Sequence, residues 1–337
     1  MESGKYSRQI LFAPIGREGQ ERLRAAKVVI LGCGALGTAQ ANMLARAGIG
    51  SLRIIDRDYV EESNLQRQIL FDESDAAQRL PKAAAAERKL KQINSDVHVE
   101  GVVEDAQPHN IEEMVTGFDL ILDGTDNFET RFLLNDAAVK LNTPWIYGAV
   151  VAAYGVTMTV LPGRTACLSC VLPRAPEGIH ETCDTAGVIG PAVNWVTAVQ
   201  MAEALKILSG RLNDLHHRLI SYDVWENRLQ QIVARRDPAC AACGQREFAY
   251  LDGAAPAHLS LCGRDSVQIH QRQPRRLDLN ALRSRLAQFG PVRGNTFLVQ
   301  CALETCELTV FEDGRAIIKG TQDPAIARSL YARYVGS

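Results

Sequence analysis

Two pairs of cysteines in this chain have the spacing of metal ligands. Cys167 and Cys170 form one C-x-x-C pair, Cys240 and Cys243 form a second, and 69 residues separate the pairs. Each pair offers two thiolates at the geometry of tetrahedral zinc. Four protein ligands leave no open coordination position, so we predict a structural zinc site that ties a long loop to the end of the main domain. The alternative is two independent redox-active or buried pairs.

The remaining cysteines bear on the chemistry and on the compartment. The chain has nine cysteines, and no basic segment followed by an apolar run opens it. We therefore expect a cytoplasmic protein in which cysteines serve metal binding or catalysis rather than disulfides. Cys183 lies in a long irregular stretch, residues 162–189, where a thiol is either a nucleophile, a sulfur carrier or incidental. Four others are interpreted as packing or incidental residues: Cys33, Cys262, Cys301 and Cys306.

A glycine-rich loop between a strand and a helix predicts a nucleotide site. Residues 32–37 read G-x-G-x-x-G, with glycines at Gly32, Gly34 and Gly37. The glycines let the backbone turn tightly and approach a phosphate, and the helix N-terminus that follows favours negative charge. Asp56 ends the next strand, 19 residues after Gly37, where an acid can bind a ribose hydroxyl. The alternative is a glycine turn needed only for packing, and the motif does not distinguish NAD from ATP.

Further polar side chains are expected at the same edge of the sheet, where ligands of such folds bind. The segment 63–68 carries hydroxyl, amide and guanidinium groups, Lys82 opens a helix, and the segment 124–127 follows another strand. Arg67 and Lys82 could neutralise a triphosphate, and Asp126 could hold magnesium. Nicotinamide chemistry needs no such set, which favours ATP over a dehydrogenase. Any one of these groups could instead belong to a solvated loop rim.

Composition excludes several classes of protein. The 337 residues are 46% hydrophobic and 23% charged, the ordinary balance of globular domains. A net charge of -2 argues against broad nucleic-acid binding, which usually needs a basic surface. No run of about 20 apolar residues occurs, so no membrane span is predicted.

Strand and helix patterns alternate along the first part of the chain. Strands are predicted at 28–31, 52–55, 97–103, 119–122, 145–151 and 156–161, then a hairpin at 219–222 and 228–233. Helices are predicted at 35–47, 82–93, 131–141 and 191–208, after short helices in residues 1–25. This pattern predicts an α/β fold with a Rossmann-like, doubly wound, mostly parallel sheet that continues into an antiparallel part.

The domain organisation follows from a change in composition near residue 250. Residues 1–250 are assigned to the main domain, 251–263 to a linker and 264–337 to a small C-terminal α+β unit. In this unit, strands are predicted at 266–270, 297–301, 307–311 and 315–318, and helices at 279–289 and 324–334.

Taken together, these residues resemble the ThiF/MoeB/HesA family, relatives of ubiquitin-activating enzymes. The resemblance covers residues 5–250 and rests on Tyr6–Ile10, the glycine loop, the segments 63–68 and 124–127, Pro81–Lys82 and both cysteine pairs. Ala35 departs from many members, which have a third glycine there. The tail resembles the C-terminal unit of ThiF-type adenylyltransferases from thiamine synthesis over Asp313–Ala316 and Ala327–Tyr331.

The resemblance implies a reaction and its cofactors. The terminal carboxylate of a ubiquitin-like sulfur carrier protein ending in Gly-Gly attacks the α-phosphate of MgATP, for thiamine thiazole or molybdopterin synthesis. ATP, Mg²⁺ and Zn²⁺ are implied. Carried over by position, nucleotide contacts fall on Gly32, Gly34, Ala35, Gly37, Asp56, Asp58, Ser63, Asn64, Arg67, Gln68, Lys82, Asp126 and Asn127.

The resemblance also implies catalytic residues and partners. Asn64, Arg67 and Lys82 bind phosphates and Asp126 coordinates magnesium. Arg8 matches an arginine that the family supplies across a homodimer interface, and Cys183 matches a crossover-loop cysteine that some members link covalently to the carrier. No rhodanese domain follows, so sulfur must come from a partner such as a cysteine desulfurase or from free sulfide.

Two alternative functions stay open. One is a family member that adenylates another carboxylate, such as a modified tRNA base or a peptide, and the near-neutral charge counts against tRNA. The other is a non-catalytic nucleotide-binding scaffold that docks a carrier. The presence of Arg67, Lys82 and Asp126 argues against a scaffold, which need not retain them all.

Overall fold

The computed structural model describes residues 4–173, 186–253, 266–269, 276–321 and 323–336. The chain divides into two compact units. The first comprises Met1–Glu73 and Pro81–Pro256, and the second comprises Ser74–Leu80 and Ala257–Ser337. Within the described ranges, no helix combines the length and the hydropathy that crossing a membrane requires.

The first unit is built on an eight-stranded sheet in the order β3-β2-β1-β4-β5-β6-β7-β8. The strands are β1 (Lys27–Leu31), β2 (Ser51–Ile55), β3 (His98–Val102), β4 (Leu120–Asp123), β5 (Trp145–Val151), β6 (Tyr154–Val160), β7 (Leu219–Asp223) and β8 (Arg228–Ile232). The first five are parallel, whereas β6 pairs antiparallel with β5, β7 with β6 and β8 with β7. The predicted α/β fold class is therefore confirmed.

The described residues up to 253 contain nine α-helices, of which eight belong to this unit and one lies in the second unit except for its first residue, Glu73. They are α1 (Ser7–Ile10), α2 (Gly16–Ala25), α3 (Ala35–Ala47), α4 (Glu73–Ala77), α5 (Lys82–Ile93), α6 (Ile111–Val115), α7 (Phe128–Leu141), α8 (Leu168–Val171) and α9 (Gly190–Leu208). The helix α3 ends at Gly48, whose left-handed φ of 75° suits a residue without a side chain. Because β4 is buried along its whole length, its residues are apolar up to its last position, Asp123.

The parallel strands decide where a site can form. The strands β2, β1 and β4 lie side by side and run in the same direction, so their carboxyl ends meet at one edge of the sheet. The loops after β1, β2 and β4 therefore all begin at that edge, which is where ligands bind in open α/β sheets.

The second unit contains a five-stranded antiparallel sheet in the order β10-β11-β12-β13-β9. Its strands are β9 (Ser266–Ile269), β10 (Val292–Gly294), β11 (Leu298–Ala302), β12 (Glu307–Phe311) and β13 (Ala316–Lys319), and its helices are α10 (Leu279–Leu286) and α11 (Pro324–Tyr334). Apolar residues of the helices and of one sheet face form its core, including Leu286, Val310 and Tyr331. Asn295 Nδ2 donates to the carbonyls of Gln78 and Arg79 at 3.1 and 3.0 Å, within the same unit.

Several predicted element boundaries were wrong. The helix predicted from residue 131 begins at Phe128, because Asn127 accepts a hydrogen bond from the N–H of Thr130 and so caps it. The helix predicted to reach residue 289 ends at Leu286. The strand β10 and the two five-residue helices α4 and α6 were not predicted, because they are too short to show a periodic pattern.

Candidate functional site

The glycine loop lies against the turn that follows β4. Gly32 has a φ of +92°, and a Cβ built on it would lie 2.5 Å from the carbonyl oxygen of Gly124. A Cβ on Gly37 would lie 2.0 Å from the carbonyl oxygen of Gly32. Only glycine therefore fits at either position. Two loops from neighbouring strands are thus in backbone contact at the predicted edge.

The loop leads into the N-terminus of α3. Gly34 is the residue before this helix and Ala35 is its first residue, so the departure from a third glycine falls on regular helical backbone. No described side chain caps this N-terminus. Its first N–H groups, together with the helix dipole, favour an anion.

Asp56 connects the glycine loop to the turn after β2. Its carboxylate accepts the backbone N–H of Cys33 at 2.5 Å and that of Asp58 at 2.7 Å. Burial raises the pKa of Asp56, and the neighbouring Lys82 opposes that effect. A buried acid held in this way offers its remaining lone pairs to a hydroxyl group, as expected of a ribose ligand.

Lys82 is the first residue of α5 and is 4% exposed. Its Nζ lies 3.2 Å from Oδ2 of Asp58, and its backbone N–H donates to the Asp58 carbonyl at 2.8 Å. The bridge between Tyr59 and Pro81 joins the same two stretches of chain. The structure therefore brings the predicted residues Asp56, Asp58 and Lys82 together.

The sequence analysis missed a second cation at this edge, Arg57. Its Nη1 lies 2.9 Å from the Asp105 carboxylate, and its side chain is 25% exposed. Burial alone would lower the pKa of Arg57, but the carboxylates of Asp105, Asp58 and Asp126 outweigh burial and raise it. The position of Arg57 between two predicted site residues is the signal that could have identified it.

Two buried amides lie on the segment between β2 and α5. Asn64 and Gln68 are 2% and 3% exposed, and among the described residues their side-chain oxygens accept no hydrogen bond. A Cβ on Gly34 would lie 3.9 Å from Nε2 of Gln68, which places this amide beside the glycine loop. Ser63 is exposed, and Arg67 Nη1 donates to the Ser63 carbonyl at 2.9 Å.

Asp126 lies on the turn after β4 and is exposed. Its Oδ1 accepts a hydrogen bond from Nδ2 of Asn127 at 3.3 Å. The Asn127 oxygen already caps α7 through Thr130, so this residue has a structural role in addition to any ligand contact. Arg57 follows β2 and Asp126 follows β4, so the two residues lie at the same edge of the sheet.

Two predicted site residues remain, Arg8 and Cys183. Arg8 is exposed on α1, in keeping with a residue whose predicted target is another protomer. Cys183 lies outside the described residues, as does Cys262.

The donor set of this edge fits a magnesium–nucleotide complex. Lys82 and Arg57 supply positive charge, and the unpaired amide oxygens of Asn64 and Gln68 supply acceptors for hydroxyl groups or metal-bound water. Asp126 supplies the exposed carboxylate that a hard cation prefers.

The four predicted metal ligands form a second site. The Sγ atoms of Cys167, Cys170, Cys240 and Cys243 all lie within 4.8 Å of one another. Three of the pairs are separated by 3.8, 3.6 and 3.4 Å. Tetrahedral coordination at Zn–S distances near 2.3 Å requires sulfur separations of about 3.8 Å. The cluster could therefore hold a metal ion of this kind.

The local fold explains why the cysteines converge. Cys167 precedes α8, and Cys240 precedes a turn over Ala241–Gln245. A Cβ on Gly244 would lie 2.2 Å from the Pro238 carbonyl oxygen, so the second knuckle requires glycine there. Burial raises the pKa of Cys167, and it raises that of Cys243 to about 11. Metal binding must therefore displace protons from these thiols.

Comparisons with known proteins agree with this geometry. Residues 6–242 match the family model described as the ThiF family. The chain belongs to the ThiF family. It is 48% identical over 338 residues to the sulfur carrier protein ThiS adenylyltransferase of Bacillus subtilis. The aligned region covers 99% of this chain and 100% of that protein.

Two other similar proteins match a smaller share of the chain. The sulfur carrier protein ThiS adenylyltransferase of Escherichia coli is 37% identical over 241 residues, 71% of this chain and 94% of that protein. Among solved structures, Escherichia coli MccB with ATP superposes with a TM-score of 0.63 and 26% identity, covering 72% of this chain and 75% of that one. The similarity to the protein of Bacillus subtilis therefore extends over more of this chain than either of these two.

Proposed function

We propose that this protein catalyses the ATP-dependent adenylation of the C-terminal carboxylate of a ubiquitin-like sulfur carrier protein that ends in Gly-Gly. The observation that carries the proposal is the set of cations and acceptors assembled at the glycine-loop edge. Lys82, Arg57 and Asp126 have the charges that a metal–triphosphate needs, on a chain similar over its whole length to a ThiS adenylyltransferase.

The reaction requires two anions to meet. An oxygen of the carrier's terminal carboxylate attacks the α-phosphorus of ATP, the bond to the β-phosphate oxygen breaks, and pyrophosphate leaves. The product is an acyl-adenylate. Because both reactants are negative, the protein must offset their repulsion with cations placed before the reaction begins.

The chain's residues divide this work. The glycine loop and the α3 N-terminus receive phosphate oxygens through backbone N–H groups, and Asp56 accepts a ribose hydroxyl. Lys82 exchanges its ion pair with Asp58 for contacts to phosphate oxygens, and Arg67, Asn64 and Gln68 also bind the nucleotide. Asp126 would hold Mg²⁺, which supplies Lewis-acid stabilisation of the charge on the leaving pyrophosphate.

Residues on α1 and in the loop after α8 complete the proposal. Arg8 reaches the nucleotide of a second protomer in a homodimer, and this arrangement explains its exposure on α1. In the proposed sulfur transfer, the Cys183 thiolate attacks the acyl carbon of the carrier acyl-adenylate, AMP leaves, and a thioester joins the two chains. Sulfide then attacks this thioester, which releases the Cys183 thiolate and the carrier thiocarboxylate. The sulfur is supplied from outside the chain, by a cysteine desulfurase or as free sulfide.

The four-cysteine cluster has a structural role in this proposal. A zinc ion held by Cys167, Cys170, Cys240 and Cys243 would have no open position for substrate, so it would join α8 to the turn over Ala241–Gln245 without taking part in the reaction. Its position in the same apolar core as Phe132 supports this role.

ATP–pyrophosphate exchange tests the proposed function. The purified chain is assayed with ThiS-like and MoaD-like Gly-Gly carriers, with tRNA, with a peptide and without a second substrate. Exchange with a carrier alone supports the proposal. Exchange with a peptide alone indicates the alternative suggested by the similarity to MccB, which was solved with MccA. ATP binding without any exchange indicates a scaffold.

Cysteine variants separate adenylation from sulfur transfer. Cys183→Ala should leave exchange intact while reducing thiocarboxylate formation. An equal loss of both activities would remove the covalent role from Cys183.

A further inference from the structure

The turn that carries Asp126 is anchored by an ion pair buried beneath it. Asp123, the last residue of β4, is 0% exposed, and Arg131 on α7 is 5% exposed. The Arg131 Nε lies 3.4 Å from Oδ2 of Asp123. Neither residue belongs to the nucleotide-binding set predicted from the sequence.

The two charged residues hold the two successive peptide groups that flank Thr125. Oδ1 of Asp123 accepts the backbone N–H of Thr125 at 2.9 Å and its hydroxyl at 2.7 Å. Nη2 of Arg131 donates to the carbonyl oxygen of Thr125 at 2.7 Å. That carbonyl belongs to the peptide bond that joins Thr125 to Asp126. The backbone entering Asp126 therefore cannot rotate without breaking charge-assisted hydrogen bonds.

Neighbouring residues hold the Asp123–Arg131 pair in place. The backbone carbonyl of Asp123 accepts hydrogen bonds from Gln40 at 2.8 Å and Gln200 at 3.4 Å, and its Oδ2 accepts the Gly148 N–H at 3.3 Å. The Arg131 guanidinium lies 5.7 Å from the centre of the Tyr147 ring. Burial raises the pKa of Asp123, and the charge of Arg131 opposes that effect.

Folding stability alone does not account for the presence of a buried ion pair. Removing two charges from water is expensive, and apolar residues of similar volume often serve the fold as well or better. Such a pair is expected where it must hold other groups in a fixed geometry. Here the hydrogen bonds of Asp123 and Arg131 both go to Thr125. Outer residues of this kind orient metal ligands, and their loss typically weakens metal binding 10–100-fold.

We propose that Asp123 and Arg131 are positioning residues that fix Thr125 so that the exposed Asp126 carboxylate meets the nucleotide-bound metal in one orientation. This inference rests on the proposed function, in which Asp126 holds Mg²⁺. Without the pair, Asp126 would have to be ordered during binding, and the metal would bind more weakly.

Binding of Mn²⁺ tests the inference independently of catalysis. Mn²⁺ is titrated into the full chain with a non-hydrolysable ATP analogue and followed by electron paramagnetic resonance. Arg131→Lys keeps the charge but can reach only one of its two partners, and Asp123→Asn keeps an oxygen for the Thr125 N–H. We expect each to weaken Mn²⁺ binding about tenfold or more. Asp136→Asn is the matched control, because it makes the same change at a buried acid of α7 whose bond is to Tyr250.

Thr125→Val provides a second test in case the Asp123 and Arg131 variants do not fold. It removes only the hydroxyl donor to Asp123, leaves both charges paired and should weaken Mn²⁺ binding about threefold. In pyrophosphate exchange, the Mg²⁺ concentration for half-maximal rate should rise by the same factors, with kcat at saturating Mg²⁺ within twofold of wild type.

Results that contradict the positioning role differ from results that contradict the proposed function. An unchanged Mn²⁺ affinity in Thr125→Val and in the charged variants that fold, or an equal weakening in Asp136→Asn, would overturn the positioning role. A wild-type chain that binds Mn²⁺ with the analogue but exchanges pyrophosphate with no carrier would refute the proposed function and leave the positioning measurement valid. A wild-type chain that binds no metal–nucleotide would overturn both.

Discussion

Neutralising Asp136 should stabilise the first unit at neutral pH. This acid on α7 is 2% exposed, and its Oδ2 accepts the Tyr250 N–H at 3.0 Å. Burial raises the pKa of Asp136 from 3.8 to about 6, although the backbone N–H groups of Tyr250 and Leu251 oppose the change. At about 1.36 kcal/mol per pKa unit, the folded chain binds this proton about 3 kcal/mol more tightly than the unfolded chain.

The pH dependence of folding stability follows from the raised pKa of Asp136. A carboxyl with a raised pKa in the folded state contributes its full stability below pH 3.8, where it is protonated in both states. That contribution is lost as the pH rises through about 6. Asp136→Asn keeps an oxygen for the Tyr250 N–H without ionising. The variant should therefore exceed wild type in stability by up to about 3 kcal/mol at pH 7.5, and by about 1.3 kcal/mol less at pH 5.

Urea unfolding at pH 5.0, 6.0, 7.0 and 7.5 measures this difference. The chain has three tryptophans, at positions 145, 195 and 225, all in the first unit, so their fluorescence reports that unit alone. Trp145 is 0% exposed and should respond strongly to unfolding. A difference between variant and wild type that does not change with pH would refute the reasoning, because it would mean that Asp136 titrates equally in the folded and unfolded states.

Three further predictions concern the two sites. Lys82→Met should lower the kcat of pyrophosphate exchange about 10²–10³-fold, since it removes a cation aimed at the reacting phosphates; a rate within threefold of wild type would exclude that role. Gly124→Ala should weaken ATP binding at least about tenfold, as measured by calorimetry, because its Cβ would lie 2.5 Å from the Gly32 carbonyl oxygen. Gly4→Ala is the control: its Cβ would meet nothing within 4 Å, so this variant should bind ATP normally. Metal analysis should find one zinc ion per chain, and chelation or Cys243→Ser should lower the Tm by about 10 °C or more; a zinc content near zero would contradict the assignment.

The positions of the nucleotide-binding elements could be predicted because local patterns encode them. The buried strand before Gly32 and the helix after Gly37 show their periods within a few residues, so the glycine loop was correctly placed between them. Lys82 was correctly predicted to open a helix, since the alanine-rich stretch that follows has a clear apolar stripe.

Short elements escaped the same reasoning. The three-residue strand β10 and the five-residue helix α6 offer too few positions for a period to appear. The start of α7 was placed three residues late, because the cap formed by Asn127 is a hydrogen bond and leaves no apolar pattern.

Residue types and their spacing determined the α/β class, the glycine loop and the four cysteines, because turn chemistry, side-chain period and metal-ligand spacing are local properties of a chain. Only the tertiary structure decided that Arg57 lies at the same edge as Asp126, that Lys82 pairs with Asp58, and that the buried Asp123 and Arg131 both bind the backbone of Thr125. These relations join residues from different strands and helices. Their energies depend on burial and distance, which exist only once the sheet has formed.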